Sequence, residues 1–414
     1  MDVELISIGD EIITGHTIDT NTPYIAKRMA EIGLNVVYRS AVGDDLPRME
    51  EVILQALKRV DVVIATGGLG PTDDDITKRA IVKVFKRNLV FHEEVLEDLK
   101  KRFAARGVEM PSINQNQALL PQGAVYLPNR IGSAVGIVIA EEGKVFVSLP
   151  GVPREMKIIT DEELIPYLQA NFAHTGHFKI QKLRTTGIFE SALAEIIAPG
   201  INLPENVKLA YLPSFSGVDL RIIASGGNQE AADLAADKVC ATLRGLVGKY
   251  IYGEDNEALS GVIGKLLTER GETVATAESC TAGLLAGKIT DFPGSSNYFK
   301  SGVITYSNES KTEMLDVPAE IIEQHGAVSA ETAEAMAVGV RKAATSDYGV
   351  SVTGIAGPDG GTKEKPVGTV FIAVASADNV VSKRFLLGQD RRSNRGRTVY
   401  AALEMLRRTI LEIK

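Results

Sequence analysis

Residues 60–77 read VDVVIATGGLGPTDDDIT, and this stretch decides the fold of the first part of the chain. Val60–Thr66 is apolar except for Asp61 and Thr66 itself. So continuous an apolar run is what a strand covered on both faces needs; a strand with one wet face alternates instead. It runs straight into Gly67-Gly68-Leu69-Gly70-Pro71. Glycines after a buried strand let the backbone approach a ligand and point amide donors at it. A helix is predicted to begin near Asp75, where its positive end would suit an anion. The consecutive acids Asp73, Asp74 and Asp75 oppose a bare phosphate. They make sense if a divalent cation bridges carboxylate and phosphate oxygens, with Thr72 in the same turn. The plainer reading is a turn with N-capping aspartates, which alone does not need Gly-Gly-x-Gly and three acids together.

Outward from this stretch, strands and helices alternate. Val3–Ile8 is a short apolar strand ending at Gly9, and Val36–Arg39 is strand-like. Asn21–Ile32 and Met49–Leu57 have helical spacing. Val145–Leu149 is a further strand, running into Pro150-Gly151-Val152-Pro153. This alternation implies a parallel sheet with crossover helices, whose ligands bind outside the carboxyl ends of the strands. Gly67, Gly68, Gly70 and Gly151 all sit at such ends. So do Gly9-Asp10-Glu11, followed by Asp19 and Asn21. Asp10 and Glu11 could join Asp75 around a metal or a ribose, or simply solvate a loop that precedes an N-cap at Thr20 or Asn21.

Residues 171–253 read as strand, helix, strand, strand, helix and short strand: a small α+β unit without a phosphate loop or paired carboxylates. From about residue 254 a second α/β domain begins. Its strand Val274–Ala277 leads into Glu278-Ser279-Cys280-Thr281-Ala282-Gly283, and a helix is predicted over 281–290. A hydroxyl on such a turn can face a helix N-terminus that stabilises developing negative charge. Ser279 or Thr281 can equally be an N-cap, and Cys280 a buried small residue. Further turns carry Ser296, Tyr306, Thr353, Gly354, Gly357 and the pair Asp390-Arg391. No histidine lies in these motifs. A serine would therefore need a lysine as base, and Lys311 is the candidate.

Composition limits the chemistry. The 414 residues carry a net charge of −8, two cysteines and five histidines. With no basic block, gripping nucleic acid by its phosphates is not expected. Neither a disulfide framework nor a cysteine-rich zinc site can be built. No apolar run reaches the roughly 18–20 residues of a membrane span, and no signal peptide is visible. A cytoplasmic protein without membrane contact is expected.

At this point a resemblance emerges. The strings AESCTAG, PGSS, GVITYSNESK, HGAVS, TGIAGPDGG and KPVGTV, with Asp390-Arg391, resemble the C-terminal nicotinamide-nucleotide amidase domain of the CinA family. The Gly-Asp-Glu start, Asp19-x-Asn21, the Gly-Gly-x-Gly turn with Asp75 and the Leu-Pro-Gly turn at 149–151 are similar to molybdopterin-binding-fold proteins. The middle segment resembles the KH-like domain of full-length CinA proteins, but lacks a Gly-x-x-Gly loop, so RNA binding is not expected. The resemblance implies two parallel-sheet α/β domains (1–170 and 254–414) flanking a KH-like α+β domain (171–253), and a homodimer. It departs from the pattern twice: Asp74 stands where pterin-binding relatives have Arg, and Ala282 where most members have Gly.

The activities implied are deamidation of nicotinamide mononucleotide to nicotinate mononucleotide and ammonia, and metal-dependent hydrolysis of ADP-ribose to AMP and ribose 5-phosphate. The pyrophosphatase would need a divalent cation at Asp10, Glu11, Asp73 and Asp75, with potassium an open addition; the deamidase would need no cofactor. In the deamidase, Ser279 attacks or positions water, Lys311 takes the proton, and Tyr306 orients Lys311. Amides of 279–281 hold the oxyanion, while Ser296 and the turn Thr353–Gly357 hold the nucleotide. Arg391 pairs with its phosphate or with the carboxylate product. Thr281 and Gly283 line the same pocket. Two other readings stay open: a deamidase with a degenerate ligand-binding first domain, and a non-enzymatic adaptor in DNA uptake or recombination.

Overall fold

The computed structural model describes residues 1–72, 75–172 and 177–413. The chain divides into two compact units, residues 1–179 with 225–232, and residues 180–224 with 233–414. Seventeen strands are present among the described residues. They are β1 (Asp2–Ile8), β2 (Asn35–Val42), β3 (Val62–Thr66), β4 (Leu89–Phe91), β5 (Leu119–Pro121), β6 (Val125–Leu127), β7 (Gly136–Glu141), β8 (Lys144–Leu149), β9 (His177–Thr185), β10 (Val207–Pro213), β11 (Val218–Gly226), β12 (Ile251–Glu254), β13 (Val274–Glu278), β14 (Phe299–Ile304), β15 (Tyr348–Gly354), β16 (Thr369–Ala375) and β17 (Val380–Leu386).

In the first unit the main sheet runs β2-β1-β3-β8-β7-β6, with β4 and β5 forming a separate ribbon. β1, β2, β3 and β8 pair in parallel, and β7 and β6 add antiparallel strands. All five residues of β3 are buried. Val62 and Ile64 pack on one face with Ile25 and Met29. Val63 and Ala65 pack on the other with Met49, Ile53 and Ile81. Each such side chain, fully buried, is worth about 1.5–3 kcal/mol, which is why the strand shows no polar alternation. The helix Leu46–Arg59 starts where Asp45 accepts a hydrogen bond from the Arg48 amide at 3.0 Å. Because β1 is paired on one side by β2 and on the other by β3, the crevice between the ends of β1 and β3 is the switch point where such sheets bind ligands.

The second unit contains the small antiparallel sheet β10-β11-β9-β12 and the five-stranded sheet β14-β13-β15-β16-β17. In the latter, β13, β14 and β15 are parallel, and β16 and β17 are antiparallel. Like β3, the central strand β13 is buried at every residue. The helix Arg391–Ile410 packs its apolar side into this core through Val399, Ala402, Leu403 and Leu406. Its first turn is fixed by Asp390, whose carboxylate accepts from the Ser393 amide at 2.7 Å, and this sets where Arg391 stands. The Arg407 guanidinium, paired with Glu404, also donates to the Lys249 carbonyl at 2.7 Å, so the end of the small sheet is tied to this helix. Both α/β sheets thus have the expected parallel core, extended by antiparallel strands whose direction sequence reading did not assign. Among the described residues no helix is long and apolar enough to cross a membrane.

Candidate functional site

In the first unit the strand ends meet. The Gly67 amide donates to the Leu149 carbonyl at 3.0 Å. Gly67 has φ +121°, and a Cβ there would overlap the Ile8 carbonyl oxygen, so only glycine lets β3 pass this close to β1. Gly68 receives the Thr77 amide on its carbonyl at 3.2 Å. Leu69 is anchored from behind by the Gln117 side-chain amide at 2.9 Å. Gln117 in turn accepts from Lys78 at 3.2 Å. Burial pulls the Lys78 amine down to about 8, against the charge of Asp75. Asp75 closes the turn, accepting from the Thr72 amide at 3.0 Å and the Thr72 hydroxyl at 2.5 Å. The helix begins at Thr77 and not at Asp75, and Ile76 is its N-cap. Asp73 and Asp74 lie outside the described residues.

Asp10 and Glu11 open a short helix, Asp10–Ile13. Asp10 is reciprocally bonded to Asp44, each amide donating to the other's carboxylate at 3.0 Å. Burial pushes the Asp44 carboxyl above its usual value, and the charges of Asp10, Glu11 and Asp75 push the same way, opposed by the Asp10 amide. The structure therefore brings Asp10, Glu11 and Asp75 into one acidic field and adds Asp44, which motif reading missed. The donor set is all oxygen, as a magnesium-like cation requires. Among the described residues no three carboxylates stand close enough to form a preformed cage. They fit an ion held by one or two carboxylates together with substrate phosphates, the usual way such an ion is bound.

Gly151, Asn21, Asp19 and Thr66 border the adjoining pocket, which also touches Ser7 and Glu11. Thr20 is the N-cap of the helix Asn21–Glu31 but makes no side-chain capping bond; Asp19 accepts from the Asn21 and Thr22 amides instead, at 2.9 and 3.0 Å. Burial raises the Asp19 carboxyl, but hydrogen bonds from Ser7, Thr22 and Asn21 outweigh it and hold the group below its usual value.

In the second unit, Ser279 follows β13. Its amide donates to the Val352 carbonyl at 3.0 Å, so it is not an oxyanion donor as expected from sequence. Ala282 donates to the Ser279 carbonyl at 3.1 Å. The amides of Cys280 and Thr281 have no backbone acceptor among the described residues, and remain as donors. The predicted helix over 281–290 starts only at Leu284, with Gly283 as N-cap and no side-chain capping bond from Ser279 or Thr281. The cap is Glu278, 1% exposed, whose carboxylate accepts from the Gly283, Leu285 and Ala286 amides at 3.0, 3.0 and 2.8 Å. Ala282 is held at φ +50° and Gly283 at +90°. A left-handed backbone at 282 is the physical reason glycine would be favoured there.

Lys311 is 1% exposed, and its amine donates to the Thr305 carbonyl at 2.9 Å and to the Ser307 carbonyl at 3.3 Å. Burial lowers its pKa, against Cys280 and Glu309. Cys280 is also buried, and burial pushes its thiol up to about 11, so it is no ready nucleophile. The Tyr306 hydroxyl accepts from Arg391 at 3.3 Å and is not bonded to Lys311. Arg391 also donates to the Gly357 carbonyl at 2.8 Å. The Thr353 hydroxyl donates to the Ala327 carbonyl at 2.6 Å, and Gly354 continues β15 beside it. Ser296 lies exposed in the turn Ser295–Asn297. Two further residues enter from the helix carrying Arg391. Arg395 donates to the Thr281 carbonyl at 2.8 Å, and Asn394 donates to the Ala356 and Gly388 carbonyls at 3.0 and 2.8 Å. The spacing of Arg391 and Arg395, one helical turn apart, was the available signal for the former.

Comparison with known proteins gives the same order of parts. Residues 4–170 match the family described as probable molybdopterin binding domain. Residues 181–253 match the damage-inducible protein CinA KH domain, and residues 256–410 the CinA C-terminal domain. A putative competence-damage inducible protein of Caldicellulosiruptor saccharolyticus is 41% identical over 411 residues, covering 99% of this chain and all of that one. The chain belongs to the CinA family. A CinA-like protein of Gemmatimonas aurantiaca is 44% identical, covering 99% of this chain and 96% of that one. The solved competence/damage inducible protein CihA from Agrobacterium tumefaciens is 44% identical over 36% of this chain and 91% of its own, with a TM-score of 0.35. Within this CinA chain, the turns after β3 and β13 lie in the segments matched by the first and last of the three families.

Proposed function

We propose that the chain is a hydrolase with two sites. The second unit would deamidate nicotinamide mononucleotide, and the first would cleave ADP-ribose to AMP and ribose 5-phosphate. The observation that carries the reading is Lys311: a buried amine, lowered by desolvation, near the turn that bears Ser279. Burial is how a lysine becomes a base near neutrality.

The Ser279 oxygen attacks the carboxamide carbon as Lys311 takes its proton. The Cys280 and Thr281 amides receive the oxyanion that forms. The lysine then returns the proton to the leaving nitrogen, the C–N bond breaks and ammonia departs. Water, deprotonated by the same lysine, releases the acid product and restores Ser279. Lys311 is bonded to carbonyls and not to Ser279 in the free protein, a looseness common before substrate binds. Arg391, exposed and beside Tyr306, is the cation for the 5′-phosphate. The turn Thr353–Gly357 supports the nucleotide.

In the first unit the Gly68–Gly70 amides, beside the Thr72–Asp75 turn, approach the diphosphate. Asp10, Glu11, Asp44 and Asp75 would hold the divalent cation. When bound, that cation would neutralise phosphate charge and orient the leaving group. The test is incubation of the full chain with nicotinamide mononucleotide, and separately with ADP-ribose plus a divalent metal, with ammonia and AMP measured. Ammonia without AMP leaves only the deamidase. Neither product favours the adaptor reading.

A further inference from the structure

The pocket at the β1/β3 crevice holds a buried acceptor that the fold leaves unused. Asn21 is 8% exposed, and its side-chain nitrogen donates to the Thr66 hydroxyl at 3.0 Å and to the Gly151 carbonyl at 2.8 Å. The Thr66 hydroxyl spends its own proton on the Pro150 carbonyl at 3.0 Å. A carbonyl can only accept, so the amide cannot be flipped, and Oδ1 is the atom left without a partner. Buried polar atoms are nearly always paired, and one that is not calls for a ligand or water.

The neighbours say what kind of ligand. This is a helix N-terminus, the usual place for a phosphate, yet the Asn21 and Thr22 amides are already taken by the Asp19 carboxylate. The Ser7 hydroxyl is taken by Asp19 as well, at 2.6 Å. Asn21 and Glu11 both line the pocket, and the polar atoms of these two residues left unspent are acceptors, Asn21 Oδ1 and the Glu11 carboxylate. A phosphate would be repelled there, whereas a neutral group carrying O–H or N–H would be held.

We infer that Asn21 Oδ1 is a substrate-reading acceptor, taking a hydrogen bond from a hydroxyl or amino group of the nucleotide sugar while the diphosphate lies over the Gly67–Gly70 turn. This rests on the ADP-ribose reading of the first unit. A ribose hydroxyl and the adenine amine share this chemistry, and analogues separate them.

The experiment crosses protein with ligand. Wild type and Asn21→Ala are compared on ADP-ribose, its 2′-deoxyadenosine analogue, its 2″-deoxyribose analogue and its hypoxanthine analogue. Both kcat/KM and calorimetric affinity are measured in the presence of magnesium. One analogue is expected to be about tenfold poorer than ADP-ribose with wild type, the worth of one lost hydrogen bond, and nearly equal to it with Asn21→Ala. A purely structural Asn21 would lower all four ligands alike, and that result overturns the inference. Asn21→Ser keeps a hydroxyl and serves if the alanine variant does not fold. Binding with the expected discrimination but no AMP would sink the pyrophosphatase reading and keep Asn21. AMP formation without Asn21-dependent discrimination does the reverse, and absence of any binding overturns both.

Discussion

Replacing Glu278 by Gln tests how the turn bearing Ser279 is held. The carboxylate is buried and accepts three backbone amides, two on Oε2 (Gly283 and Leu285) and one on Oε1 (Ala286). A glutamine keeps one oxygen, which can stay with the Gly283 and Leu285 pair. Its NH2 group must then face the Ala286 amide, donor against donor. One hydrogen bond to a charged group, worth about 1.5–3 kcal/mol, is lost, and a buried N–H is left unsatisfied. The favourable charge at the helix N-terminus also goes, at about 0.3–1 kcal/mol. Glu278→Gln is therefore expected to cost about 2–3 kcal/mol, and Glu278→Ala more. In a unit of this size that lowers the unfolding midpoint by roughly 4–10 °C. Because the two compact units can melt separately, circular dichroism should be paired with hydrogen exchange of peptides covering 279–290. Loss of protection at the Ala286 amide is expected in Glu278→Gln, with Gly283 and Leu285 retaining theirs. A midpoint within about 1 °C of wild type, with the Ala286 amide still protected, would refute the reasoning.

Asp75→Ala should lower ADP-ribose cleavage at least about 10²-fold by loosening the turn that Thr72 and Asp75 close, while ammonia release from nicotinamide mononucleotide stays at wild-type rate; parallel loss of both in a folded protein would argue against two separate sites. Ala282→Gly should raise stability by about 0.5–1 kcal/mol, as measured by urea unfolding. Relief of a left-handed alanine, about 1–2 kcal/mol, exceeds the added chain entropy of about 0.4–1 kcal/mol. Lys311 must be neutral to act as base, and burial lowers its pKa. Deamidase kcat/KM should therefore rise with pH and level off below the ordinary lysine range. The rising limb should vanish in Lys311→Arg, and a limb that persists there assigns the base elsewhere.

The central strands were legible because burial on both faces writes itself into composition. Val62–Thr66 and Val274–Ala277 needed no partner to be recognised. The antiparallel additions β6, β7, β16 and β17 were not assigned as such, since strand direction depends on connections, and alternation alone does not report it. Helix starts failed where the cap came from outside the local string. Reading 281–290 as helix took Ser279 or Thr281 for the cap, but the cap is Glu278, still inside the strand. At Asn21 the helix does start where the sequence reads it, with Thr20 as N-cap; what the local string hid is that Asp19 supplies the side-chain bonds. The site motifs were visible as glycine turns at strand ends, but not the residues that complete them. Asp44 and Gln117 come from distant segments, and only the fold brings them to the turns.

Those two caps bear on where substrates can sit. A helix that follows a parallel strand normally offers its first-turn amides to a phosphate. Here two such helices have first-turn amides occupied by the protein's own acid: Asp19 holds Asn21 and Thr22, and Glu278 holds Gly283, Leu285 and Ala286. On the proposed reading, a nucleotide phosphate would be met elsewhere, by the glycine turn in the first unit and by Arg391 in the second. Glu278 also places its carboxylate just behind the turn bearing Ser279, and Asp19 borders the pocket of the first unit. There, on the proposed reading, acidic charge would favour a cation between carboxylate and diphosphate. In the second, the guanidinium of Arg395 is bonded to the Thr281 carbonyl of the same turn. Two unrelated sheets thus arrive at one arrangement: the helix end is spent on fixing the turn, and substrate charge is left to side chains and exposed amides that can respond to it.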